Sequence, residues 1–166
     1  MHTLRPLTQA DLPALLTFER QNRAYFEQWV PPRPSWFFTD LARYTTHMES
    51  LLAEQQNGSF LMYILEDGTG QLLGRVNLTT TPTPSLGYRI AKAHAGKGLA
   101  AAAVHQFCTI ARNTHALTEI TAQAARCNLA SQRVLTKNGF IKTQAPAQEG
   151  KLNEQPIWLE RFHKHL

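Results

Sequence analysis

Apolar residues recur at helical spacing at Leu12, Leu15 and Leu16, and Glu19 continues the row. Ahead of them, Thr8-Gln9-Ala10-Asp11 has the form of a capping box. This pattern predicts a helix ending near Asn22, preceded by a short strand over Leu4–Leu7. Prolines at 31, 32 and 34 exclude regular helix through Trp29–Trp36. A second helix is predicted from Thr39 to Gln56, closed by Asn57-Gly58.

The chain then changes character. Phe60–Leu65 and Leu72–Thr79 read as paired strands around the turn Glu66-Asp67-Gly68-Thr69-Gly70. Thr80–Ser85 holds Pro82 and Pro84 and reads as a loop before a strand at Leu86–Ala91. A helix over Lys97–Asn113, a strand over Thr118–Ala125 and a helix over Leu129–Asn138 follow, the last closed by Gly139. Phe140–Thr143 and Ile157–Phe162 supply the final strands. The order is two helices, a β-meander and β-α-β-α-β-β, which predicts a mixed α/β sheet with helices on both faces.

Length adds that residues 1–166 are expected to form a single domain large enough for a real core. No apolar run approaches the ~20 residues of a membrane span, and the start has no signal-peptide core. Cys108 and Cys127 make no disulfide framework and are expected to be free thiols in a reducing, cytoplasmic setting. Neither has a His or second Cys at metal-ligand spacing, so no metal site is expected. The net charge of +5 has two readings, a basic face or the service of a phosphate-rich ligand. Basic residues are scattered, and Arg161, His163, Lys164 and His165 read as a solvated C-terminal tail. No nucleic-acid module is present, so neither nucleic acid nor membrane is an expected partner.

The chemistry concentrates between Leu86 and Phe140. Leu86-Gly87-Tyr88-Arg89-Ile90-Ala91 feeds the turn Ala95-Gly96-Lys97-Gly98-Leu99-Ala100, which opens an alanine-rich helix. A strand, glycine turn and helix start aim free N–H groups and a positive dipole end at one point, where an anion is expected. A nucleotide P-loop is excluded, because Lys97 is followed by Gly98 rather than Ser or Thr. Gly96, Gly98 and Ala101 spell a dinucleotide G-x-G-x-x-A. Yet Glu119, at the right distance for its acidic partner, falls where the next strand begins, and the preceding strands are a hairpin.

The third answer is coenzyme A. The segment from Ala95 to Ala100 resembles the pyrophosphate loop of the GNAT acetyltransferases, matching at Gly98 and Ala100 and departing at Ala95. More narrowly, the chain resembles the ribosomal-protein alanine N-acetyltransferase branch of that superfamily. The likeness is carried by Asn22–Trp29 with the prolines after it, Leu86–Ile90, Gly96-Lys97-Gly98, and the spaced set Asn128, Ser131, Arg133-Val134-Leu135, Lys137 and Gly139-Phe140. It implies the GNAT fold: a mostly antiparallel mixed sheet whose central parallel strands, Leu86–Ala91 and Thr118–Ala125, splay apart.

The resemblance also implies roles. Ala95, Gly96, Lys97, Gly98, Leu99, Ala100 and Ala101 would cradle the pyrophosphate of acetyl-CoA. The backbone of Arg89 and Ile90 would pair with the pantetheine arm, and Asn128 would hydrogen-bond it while capping a helix. Ser131 would be the acid that protonates the leaving thiolate. Tyr88 stands in the catalytic set, at the backbone N–H expected to hold the oxyanion and as a side chain able to hold a water with Asn77. Lys97 reads equally as a phosphate partner or a solvent-facing lysine.

No Glu or Asp stands out as general base. An α-amine with a pKa of about 8 needs little help, whereas a lysine amine at about 10.4 needs much more. The expected function is therefore acetyl transfer to a primary amine, most simply a protein N-terminal α-amine such as a ribosomal one. A small-molecule amine transferase and a non-catalytic acyl-CoA-binding module are the alternatives. The acceptor pocket is expected from Asn22–Trp36 and Thr79–Ser85. There Tyr25, Phe26, Trp29, Trp36 and Phe37 form either a packed lid or a cleft wall, with Arg23 or Arg33 steering an acidic acceptor. The expected assembly is a monomer or homodimer.

Overall fold

The computed structural model describes residues 2–166. The capping box forms: Asp11 Oδ2 accepts from the Thr8 N–H at 2.8 Å and from its hydroxyl at 2.7 Å. One 3-10 turn, Gln9–Asp11, leads into helix α1, Leu12–Gln21. Asp11 also accepts two hydrogen bonds from Arg5, at 2.8 and 2.9 Å, which tie the helix start to strand β1, His2–Pro6. The proline segment is not bare loop. It lies between two single-turn helices, α2 (Arg23–Phe26) and α3 (Trp36–Thr39), too short to leave a periodic signal. Helix α4, Leu41–Asn57, starts on an Asp40 cap and ends at Gly58 with φ of 79°.

Strands β2 (Phe60–Asp67), β3 (Leu72–Thr79) and β4 (Ser85–Ile90) form the expected meander. Helix α5 (Leu99–His115), strand β5 (Glu119–Ala125) and helix α6 (Leu129–Lys137) follow. The last third holds β6 (Ile141–Lys142), β7 (Gln148–Leu152) and β8 (Gln155–His165). Strand β7 was not foreseen. Its sequence, Gln-Glu-Gly-Lys-Leu, carries little apolar signal, and it is held by a hairpin whose turn residues Asn153 and Glu154 have positive φ.

The sheet runs β1-β2-β3-β4-β5-β8-β6, with β7 on the first half of β8. Every pairing is antiparallel except β4 with β5. The expected C-terminal tail is therefore corrected. Arg161, His163, Lys164 and His165 lie in β8, an interior strand paired with β5 on one side and β6 on the other. The strand alternates, so Phe162 enters the core while the basic residues beside it turn outward. Lys164 is the exception in use, donating to the Asn138 carbonyl at 2.7 Å.

Two cores flank the sheet. One face packs Val76, Leu78, Leu86 and Ile90 under α5 and α6, around Phe107 and Leu135. The other packs Met62 and Ile64 under α1 to α4, around Leu15, Phe37 and Tyr44. Among the described residues, no helix is long and apolar enough to cross a membrane.

Candidate active site

The two central strands stay together for only two residues. Ser85 pairs with Thr121 and Leu86 with Ala122, after which β4 runs on to Ile90 and β5 to Ala125 without pairing to each other. The Thr121 N–H donates to the Pro84 carbonyl at 2.8 Å, so even-numbered residues of β4 turn their main chain toward β5. From the other side, the Ala91 N–H donates to the Leu73 carbonyl at 2.9 Å, so odd-numbered residues face β3. Past Leu86, the polar groups of Tyr88 and Ile90 thus line the gap. The main chain of Arg89 is turned to β3, and only its side chain contributes here.

At the far end of the gap lies the glycine turn. Gly96 and Gly98 have φ of 75° and 79°, which a side chain rarely adopts, and a Cβ at either would meet nothing within 4 Å. The space before the loop is open. The first bond of α5 back to the loop is Ala102 N–H to the Gly98 carbonyl, at 3.1 Å. The N–H groups of Leu99, Ala100 and Ala101 therefore have no partner inside the helix and point out of its start. No side chain caps that start. An uncapped, open helix N-terminus fits a pyrophosphate. Ala95 is spoken for, donating its N–H to the Lys92 carbonyl at 3.2 Å. Lys97 is exposed, its Nζ donating to the Ala93 carbonyl at 3.0 Å.

Tyr88 and Ser131 meet. The phenol oxygen lies 2.8 Å from the Ser131 Oγ and 3.3 Å from the Ser131 carbonyl. The serine is held by its own N–H, which donates to the Asn128 Oδ1 at 3.1 Å. Asn128 thus acts as the α6 cap, with its amide nitrogen left for another acceptor. Burial pushes the Tyr88 hydroxyl above the ordinary tyrosine value, against a smaller lowering by Ser131. It stays protonated at neutral pH. The pair joins β4 to the helix that follows β5, bridging the two strands where they part.

On the other sheet face, β3 and β4 present Arg75, Asn77 and Arg89 toward α1. Glu19, 2 % exposed, receives Arg75 Nε at 2.7 Å and Arg89 Nη1 at 2.9 Å, with Arg33 Nε at 3.7 Å. Arg75 also donates to Asn77 Oδ1 at 2.6 Å. Burial alone would raise the Glu19 carboxyl, but the guanidiniums of Arg75, Arg89 and Arg33 outweigh it and hold it below the carboxylate range. This cluster was not legible in the sequence. Glu19 looked like one more position on a helix, and its partners come from 14 to 70 residues away. A carboxylate in an otherwise apolar helical row was the available signal.

Beyond β5, Glu160 is likewise held low by Arg126 at 2.6 Å and Lys142 at 3.1 Å. The aromatic residues divide. Phe26 and Phe37 are buried, whereas Trp29 is 37 % exposed. At the opposite end of β5, Glu119, His163 and His165 place their ligating atoms within 4.8 Å of one another, the one such cluster among the described residues. Reasoning from cysteine spacing had not foreseen it, because cross-strand register creates it.

A splayed parallel pair beside an open helix N-terminus is joined by a family match. The model of the acetyltransferase (GNAT) domain matches residues 2–141. The chain belongs to the GNAT acetyltransferase family. It is 30% identical over 158 residues to the probable N-acetyltransferase YjcK of Bacillus subtilis strain 168, covering 90% of this chain and 86% of that protein. The fold is shared with RimL, a ribosomal L7/L12 α-N-protein acetyltransferase solved with coenzyme A, at a TM-score of 0.87 and 18% identity over 99% of this chain and 94% of that one. It is also shared with the spermidine N-acetyltransferase of Vibrio cholerae, solved with coenzyme A and spermine, at 0.79 and 19% over 99% and 95%.

As a GNAT protein the chain is an acetyl-CoA-dependent N-acetyltransferase. We propose that the main chain of Ile90 and Tyr88 would serve as the strand edge for its pantetheine arm, and Gly96 to Ala101 as the cradle for its pyrophosphate. Acetyl-CoA supplies the activated acyl group when bound.

Proposed function

We propose that the acceptor is the α-amine of a protein N-terminus, a ribosomal protein's among them. The observation that carries this reading is the state of Glu19. The carboxylates flanking the open ends of β4 and β5, Glu19 and Glu160, are both held ionised by cations. Neither is tuned upward to take a proton near neutral pH. The amine must arrive neutral, and an α-amine with a pKa of about 8 does so in useful fraction. The surplus of arginine over carboxylate beside the gap also repels a polycation such as spermidine.

The chain's own groups fit the remaining steps. The backbone N–H of Tyr88 faces the gap and is placed to donate to an acyl oxygen as it gains charge. The protonated Tyr88–Ser131 pair lies on the α5/α6 side and is the group we assign to the leaving sulfur. A thiol of pKa about 8.5 needs only a weak acid, which two coupled hydroxyls provide.

The test is thiol release from acetyl-CoA with peptides beginning Ala, Ser or Met, set beside spermidine. Turnover of one peptide class supports the reading. Turnover of spermidine alone overturns it.

A further inference from the structure

The arginine cluster is not neutralised by its own protein. Between α1, the Val30–Arg33 segment, Phe38 and Arg89 lies a crevice whose charged lining is Glu19, Arg23, Glu27, Arg33 and Arg89. Arg75 stands directly behind Glu19. Four guanidiniums therefore face two carboxylates. Arg23 and Glu27 satisfy each other at 2.8 Å. The remaining carboxylate, Glu19, is shared by three guanidiniums at 2.7, 2.9 and 3.7 Å. The third is too long for a hydrogen bond.

The shortfall falls on Arg33. Its Nε is buried and has no hydrogen-bond partner among the described residues. Its guanidinium stacks 4.3 Å above Phe37, which fixes its plane without satisfying its donors. A buried donor left unpaired is costly, and a desolvated positive surplus more so. The neighbours register that surplus. Burial and then repulsion by Arg75 lower the Arg33 guanidinium, and the same causes bring Arg89 to about 10. The free volume in the crevice is about 10 Å³, room for one oxygen-sized group.

Position makes the surplus relevant to the acceptor. Arg89 adjoins Tyr88, whose main chain lines the gap, but its side chain emerges on the sheet face opposite the Tyr88–Ser131 pair. With the Tyr88–Ser131 pair assigned to the leaving sulfur in the reading above, this opposite face is the one left open to the acceptor amine.

We propose that the Arg33–Arg89 crevice is an anion subsite that takes a carboxylate carried near the reacting amine: an Asp or Glu side chain in the first residues of the acceptor polypeptide. This deepens, and rests on, the N-terminal reading above. One carboxylate oxygen fills the free volume and accepts from Arg33, restoring the charge balance.

The experiment compares initial rates of thiol release from acetyl-CoA for matched, C-terminally amidated peptides. They begin Ala or Ser and carry Asp or Glu, Asn or Gln, or Lys at positions two and three. A small amino acid, its methyl ester and spermidine complete the panel. The expected result is kcat/KM about tenfold or more higher for the acidic peptide than for its amide isostere, the scale of one charged hydrogen bond. In Arg33→Gln the acidic-to-amide ratio is expected to fall to about two or less, whatever the variant's absolute rate. Should Arg33→Gln not fold, succinate and succinamide serve with the wild-type enzyme. Succinate is expected to compete with acceptor but not with acetyl-CoA, and succinamide not to compete.

Equal rates for acidic and amide peptides overturn the subsite and leave the N-terminal reading standing. Turnover of the amino acid but not of its ester or any peptide supports the subsite and overturns the N-terminal reading. Turnover of spermidine alone overturns both.

Discussion

The Tyr88 hydroxyl lies 2.8 Å from the Ser131 Oγ, joining strand β4 to the helix that follows β5 across the point where the sheet opens. Two hydroxyls at that distance are hydrogen-bonded, so removing either one alters the other. Tyr88→Phe and Ser131→Ala are therefore expected to lower kcat by about 10- to 100-fold each, at the modest end for an acid because the thiolate leaves readily. The double variant is expected to lose little more than either single one. Steady-state kinetics on all three checks this, and strictly multiplicative losses would separate the two groups.

The raised Tyr88 hydroxyl sets a pH expectation. Its proton is retained past the ordinary tyrosine value of 10.0, so the acid we propose is present across the physiological range. The rise of kcat/KM with pH then reports the acceptor. For an α-amine it should level off near pH 8, whereas for a lysine amine it would climb on towards about 10.4. A profile from about pH 6 to about pH 11 distinguishes the two, and Tyr88→Phe should lower the whole profile while changing its shape only at the alkaline end.

Gly98 holds a left-handed turn at the start of α5 with open space before it. Gly98→Ala forces an alanine into that conformation at a cost of about 1–2 kcal/mol. It also puts a methyl group where the anion is expected. The Michaelis constant for acetyl-CoA should rise about tenfold or more while acceptor preference is unchanged. Kinetics with acetyl-CoA varied at fixed acceptor is the measurement.

Among the described residues, Glu19 is the one carboxylate paired with the guanidiniums of Arg75, Arg89 and Arg33. Glu19→Gln removes the one negative charge of a buried set, and breaking such a set costs about 3–5 kcal/mol. For a chain of this size that corresponds to a melting temperature lower by roughly 10 °C. Thermal unfolding followed by circular dichroism tests it, and an unchanged melting point would show that the arginines do not need their carboxylate.

Asp11 gives an acid-side expectation. Its hydrogen bonds from Arg5 lower the carboxyl from 3.8 to about 2. A lowered carboxyl stabilises the fold above its unfolded value and loses that contribution as pH falls through the folded one. Asp11→Asn should cost about 1–2 kcal/mol at neutral pH, allowing for solvent screening. Denaturant unfolding at descending pH should show the gap between variant and wild type closing between about pH 4 and about pH 2.

Much of this protein is local and was therefore legible in order along the chain. The capping box at Thr8–Asp11, the hairpin at Asp67–Gly70, the glycine turn ahead of α5 and the Asn128 cap each depend on residues within a few positions of one another. Backbone propensity and short hydrogen bonds act over that range, so the sequence by itself determined the longer helices, the central strands, the glycine turn ahead of α5 and the GNAT likeness. Tertiary structure decided what depends on register and on which face a side chain takes. It set Arg75, Arg89 and Arg33 around Glu19 and turned the Arg89 main chain away from the gap. It drew the basic C-terminal residues into an interior strand, where His163 and His165 meet Glu119. These outcomes rest on long-range pairing, in which a shift of one residue sends every side chain of a strand to the other face. Only the completed sheet fixes that choice, because only then are both of its faces buried against particular helices.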